Sequence, residues 1–112
     1  MTVDTHHRGL GNTLTPLKRQ LVQKNDSGVY AAVNLTGKTV YFRMEDEDGN
    51  DVIAGTSAAC TVTDAANGKV EYDFQSADVD EAGTYYGYFD VYSGGEFDTF
   101  PAEAKSLKII VN

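Results

Sequence analysis

Residues 39–45, 57–63, 69–75 and 84–92 each place their most apolar side chains at every second position. In the first run Val40, Phe42 and Met44 fall on one side and Tyr41, Arg43 and Glu45 on the other. In the second Ala58, Cys60 and Val62 align, and in the third Val70, Tyr72 and Phe74. In the fourth Tyr85, Gly87, Phe89 and Val91 oppose Tyr86, Tyr88, Asp90 and Tyr92. A period of two is the signature of a strand with one face in a core and one in water. A helix cannot use it, because its faces repeat every 3.6 residues.

The segments between the runs are turn-forming. Asp48-Gly49 and Asn67-Gly68 each stand between apolar runs, where Gly tolerates the positive φ of a tight hairpin. Ser93-Gly94-Gly95-Glu96 turns the chain again, and 107–111 reads as a closing strand. Upstream, Pro16 opposes a central strand, so an edge strand is expected over 18–23 and a short one over 29–34. Seven or eight short strands at spacings near ten residues predict an all-β, antiparallel β-sandwich over residues 14–112. Residues 1–13 show neither period and are expected to form a flexible N-terminal arm.

Composition narrows the function classes. The chain of 112 residues carries 9 Lys and Arg against 17 Asp and Glu, a net charge of -8. Such a balance opposes phosphate neutralisation, so no nucleic-acid partner is expected. It also lacks a polybasic membrane anchor, and its apolar runs fall far short of the ~20 residues of a membrane helix. Residues 1–12 hold no apolar stretch of the secretory kind, so the chain is expected to be made in a cytoplasm, or to leave one by a route other than a cleaved signal.

Chemistry finds few anchors. The single Cys60 sits among small and β-branched neighbours and reads as a buried thiol. His6 and His7, the only histidines, lie on the expected arm and lack a second pair to complete a metal site. The acidic run 45–51 fails the calcium-loop pattern: with Asp46 first, the sixth residue is Asp51 and the twelfth Ser57. It reads as a solvated hairpin tip, with weak cation binding left open. No catalytic residue, metal or cofactor is assigned, and the chain is read as noncatalytic.

The tyrosines carry more information. With 85, 89 and 91 facing the core, Tyr86, Tyr88 and Tyr92 line the outer surface, joined by Tyr41. Tyrosine offers large rigid area with a polar tip, which suits protein interfaces, although ordinary cross-strand packing uses it too. The candidate contact residues are therefore Tyr86, Tyr88, Tyr92 and Tyr41, with His6, His7, Arg8 and Leu10 of the arm.

Two resemblances sharpen this. Glu81-Ala82-Gly83-Thr84-Tyr85-Tyr86-Gly87 resembles the immunoglobulin signature leading into strand F, which implies that Tyr85 is a tyrosine corner. Gly87 stands at the cysteine position, and the core tryptophan is missing, so the implied domain is Ig-like without its disulfide. Leu35-Thr36-Gly37-Lys38-Thr39-Val40-Tyr41-Phe42-Arg43-Met44 resembles the opening of small tailed-phage proteins similar to the N-terminal Ig-like domain of the phage baseplate upper protein (BppU) family. Asp48-Gly49-Asn50-Asp51-Val52, Gly68-Lys69-Val70-Glu71-Tyr72, Ala82-Gly83-Thr84-Tyr85, Phe89-Asp90-Val91 and Thr99-Phe100-Pro101 follow in the same order. Phe74 departs from the family, which often shows Trp there, and residues before 35 fit poorly. The resemblance implies a virion structural protein: a tail or baseplate adaptor, or a capsid decoration subunit. Its implied partners are other virion proteins or further copies of itself. The competing expectation is a host-surface or glycan-binding adsorption module.

Overall fold

The structure, a computed structural model, describes residues 4–9, 16–24, 26–53, 58–75, 78, 80–100 and 107–112. Most of its described residues are strand, and helical structure among them is confined to short 3-10 turns, at Ala65–Asn67 and at residue 78. The strands are β1 (Asp4–Arg8), β2 (Leu17–Gln20), β3 (Val22–Lys24), β4 (Tyr30–Ala32), β5 (Thr39–Asp46) and β6 (Asp51–Ile53). They continue with β7 (Thr61–Asp64), β8 (Lys69–Tyr72), β9 (Gly83–Ser93), β10 (Glu96–Phe100) and β11 (Leu107–Val111).

A six-stranded sheet runs in the order β1-β11-β9-β5-β6, with β10 also on β9. Strand β5 pairs with β9 from Tyr85 to Tyr92 and so occupies most of one edge of it. The other edge is shared: β11 covers Gly83–Tyr86 and β10 covers Phe89–Ser93. A three-stranded sheet, β2-β8-β7, supplies the second layer, and β3 and β4 form a separate two-stranded ribbon.

The core lies between the two larger sheets. From one come Val40, Phe42, Met44, Phe89, Val91 and Ile109; from the other Leu17, Val70 and Tyr72, with Phe74 just beyond β8. The Phe42 ring is the hub, stacked on Tyr72 (4.7 Å between centroids) and set against Phe89 (5.3 Å) and Phe74 (5.8 Å). Burying each such ring contributes about 1.5–3 kcal/mol. Gly87 makes room for it, because a Cβ there would lie 2.9 Å from Phe42 Cε1 and 3.0 Å from Ile109 Cδ1.

The structure departs from the sequence reading in the arm, in the edge strand, and in the runs 57–63 and 69–75, whose described strands are Thr61–Asp64 and Lys69–Tyr72. Part of the expected arm is a strand: β1 pairs in parallel with β11, from Asp4 opposite Leu107 to Arg8 opposite Val111. The edge strand expected over 18–23 breaks at Leu21, whose N–H turns to the Gly68 carbonyl (2.7 Å). This close approach needs glycine: Gly68 has φ 66°, and a Cβ would meet the Leu21 and Val33 carbonyl oxygens at 2.7 Å. The chain then leaves the sandwich as the β3–β4 ribbon. These changes raise the number of short strands to eleven among the described residues.

Candidate functional site

The outer face of the six-stranded sheet is built from the residues that alternate away from the core on β5, β9 and β10. Register sets Glu45 opposite Tyr86, Arg43 opposite Tyr88, Tyr41 opposite Asp90 and Thr39 opposite Tyr92. On the other side of β9, Thr99 stands opposite Asp90 and Phe97 opposite Tyr92.

These neighbours close over one another. Arg43 lays its guanidinium 4.5 Å from the Tyr88 ring centroid and donates from Nε to Asp90 Oδ2 (3.2 Å). Thr99 Oγ1 donates to the other Asp90 oxygen (2.7 Å). The Tyr88 hydroxyl donates to Glu45 Oε1 (3.2 Å), and Arg43 lies 3.8 Å from Glu45 Oε2. Asp90 is only 7% exposed, and these hydrogen bonds satisfy both of its buried oxygens. The result is a fixed polar lattice in the middle of an outer face.

Exposure separates the four tyrosines proposed from sequence. Tyr88 is 5% exposed beneath Arg43, so it supports the face rather than offering itself to a partner. Tyr41 and Tyr86 are half-buried, and Tyr92 is 38% exposed. Tyr92 stacks on Phe97 (6.1 Å, interplanar angle 11°), which is 62% exposed. Phe97 was not among the sequence candidates. Its signal was its mirror position to Tyr92 across Gly94-Gly95, which requires the hairpin register to read.

The N-terminal candidates divide likewise. His7 is exposed; Leu10 lies outside the described residues. His6 and Arg8 face inward. The Arg8 guanidinium sits 4.2 Å from the Phe74 ring centroid and donates to His6 Nε2 (3.1 Å), while the His6 ring stacks on Phe74 at 6.2 Å. Burial lowers the Arg8 pKa.

Tyr85 is buried and its hydroxyl donates to the Glu81 carbonyl (2.8 Å), fixing the entry to β9. Burial first, then Glu81, Asp80 and Asp46, raises its pKa. In the acidic loop Asp46 accepts N–H bonds from Asn50 (3.0 Å) and Asp48 (2.9 Å), and these hold its carboxyl below the usual range. That carboxylate folds the tip around itself. Among the described residues no group of three or more His, Cys, Asp or Glu is placed to hold a metal ion. Burial pushes the Cys60 thiol up to about 12.

Compared with known proteins, the sequence matches no family model and no curated protein.

Proposed function

We propose that this chain is a noncatalytic structural subunit of a tailed-phage particle, a tail or baseplate adaptor or a capsid decoration protein, which works by adhesion through the outer face of its larger sheet. The observation that carries the adhesive part is the Arg43–Tyr88–Asp90 lattice ringed by Tyr41, Tyr86, Tyr92 and Phe97. Tyrosine, phenylalanine and arginine are the side chains that interfaces enrich, and rigid ones lose little entropy on docking. Here the centre of the face is held by a network already made, and Tyr92 and Phe97 stack on each other beside it, so part of the ordering is in place before a partner docks.

The virion placement rests on the resemblance across residues 35–112. An Ig-like sandwich is supported by strand order. Strands β6-β5-β9-β11 follow the C′-C-F-G order and β2-β8-β7 the B-E-D order of that architecture. The Tyr85 bond to Glu81 is the geometry a tyrosine corner requires. Quantitative mass spectrometry of density-purified particles tests the placement: the chain is expected in the particle fraction at a fixed copy number, and its absence there overturns the reading.

The exposed Phe97 ring on Tyr92 favours a second reading, a host-surface or glycan-binding module, since a flat aromatic platform also suits a sugar ring. Specific binding of the isolated domain to a glycan array, without incorporation into particles, would select it.

A further inference from the structure

The β3–β4 ribbon stands apart from the sandwich, and every residue of both its strands is exposed. Two-stranded ribbons are marginal in water by themselves. This one is rooted by buried Leu21 and Val33, yet it presents Val22, Tyr30, Ala31 and Ala32 to solvent, Tyr30 at 67%.

Its hydrogen-bond phase can be read from the root. The Val33 N–H donates to the Leu21 carbonyl (2.9 Å), continuing the register Val22–Ala32, Gln23–Ala31, Lys24–Tyr30. Bonded and non-bonded pairs alternate in an antiparallel ladder. Leu21–Val33 is a bonded pair, so Val22–Ala32 and Lys24–Tyr30 are non-bonded. Tyr30 and Ala32 therefore aim their N–H and C=O groups away from β3, along the outer edge of β4.

That edge fits itself. We infer that β4 pairs antiparallel with β4 of a second copy of this chain, about a two-fold axis through Ala31. Tyr30 then faces Ala32 of the second copy as a bonded pair, and symmetry repeats the contact. The large ring sits beside a small side chain, with Val22 of the second copy next to it on the same face. Ala31 meets its own counterpart in the close, non-bonded pairing, where two methyl groups fit.

Charge selects this occupant. Every other edge strand among the described residues carries charge: Arg8 on β1, Lys18 and Arg19 on β2, Lys24 on β3, Asp51 on β6, Asp64 on β7, Glu96 and Asp98 on β10. Charged residues are the usual guard against edge pairing, and β4 alone lacks them. In a chain of net charge -8, two copies repel over most of their surface. The uncharged edge is where they meet with least repulsion. This surface is separate from the aromatic face of the larger sheet.

Sedimentation equilibrium of the full chain, from ~0.01 to ~1 mM, tests it. The expected result is a mass rising from monomer toward dimer. Ala31→Lys and Ala31→Asp place like charges against each other across the axis and should each remain monomeric, with unchanged circular dichroism and melting. An equimolar mixture of the two variants should recover the dimer, because Lys then faces Asp. A wild-type chain monomeric throughout, single variants that still dimerise, or a mixture that stays monomeric would overturn the inference. None of these readouts involves incorporation into particles, so the adhesive-face proposal stands or falls separately.

Discussion

The guanidinium of Arg8 lies 4.2 Å from the centre of the Phe74 ring, joining the first strand of the chain to the segment that follows β8 in the opposite layer. An arginine 4% exposed on a polar N-terminal strand thus closes the sandwich along the β11 edge. Its stem covers apolar surface while its head meets the aromatic face. Arg8→Ala is expected to destabilise the domain by about 2 kcal/mol, the size of a desolvated cation–π contact. Removing residues 1–9 should cost at least as much. Urea unfolding checks both, and an unchanged midpoint after truncation would mean that β1 contributes nothing to the sandwich.

Gly87 on β9 faces the core, and the Phe42 ring occupies the adjoining space. Gly87→Ala would press a methyl group to 2.9 Å from Phe42 and 3.0 Å from Ile109. Overpacking of this kind costs about 1–3 kcal/mol. Chemical denaturation should show the loss, and Phe42→Leu in the same chain should recover part of it.

Alkaline stability should depend on Tyr72. Its hydroxyl donates to Asp78 Oδ2 (2.6 Å), and burial, reinforced by that bond and the Asp78 charge, raises its pKa. Unfolded tyrosine ionises near ~10. Above that pH the unfolded chain gives up a proton that the folded chain keeps, so stability is full below ~10 and falls as pH rises toward the folded value. Tyr72→Phe should flatten that decline while costing about 1.5 kcal/mol at neutral pH through the lost bond to a carboxylate. Unfolding free energies at pH 7 and pH 11 for both chains measure it.

Cys60 should be nearly inert in the folded protein. It packs against the core, its N–H is held by the Val40 carbonyl (2.8 Å), and its thiol titrates only near about 12. The thiolate is the reactive form. A thiol-reactive dye at pH 8 should label it slowly until denaturant is added, and then quickly. Rapid native labelling would contradict the packing.

The strands β5, β8, β9 and β11 were legible because each keeps one face apolar, and a period of two leaves no other arrangement. Tyr85 was singled out by the resemblance at 81–87, and its hydroxyl donates to the Glu81 carbonyl. Strand β1 was not legible, because its inward residues are His6 and Arg8. These cover Phe74 with a ring and a guanidinium rather than with aliphatic groups, so no hydrophobic pattern announces them. Alternation placed Tyr88 on the outer face correctly but could not reveal its burial. That depends on Arg43 and Glu45 from β5 closing over it, a cross-strand register that one strand's sequence does not contain. The break at Leu21 that sets β3 apart from β2 was hidden for a related reason: it comes from the approach of Gly68, distant in the chain.

Adhesion through the outer sheet face is tested most directly by copy number. Particles assembled with wild-type chain and with a Tyr86→Ser, Tyr92→Ser double variant would be purified and the subunit counted by quantitative mass spectrometry. Both side chains project from the outer face, so the variant should fold and melt like the wild type. Its copy number should fall by about tenfold or more, the effect of losing ~1.4 kcal/mol or more from an interface centre. A folded variant present at the wild-type copy number would contradict the account.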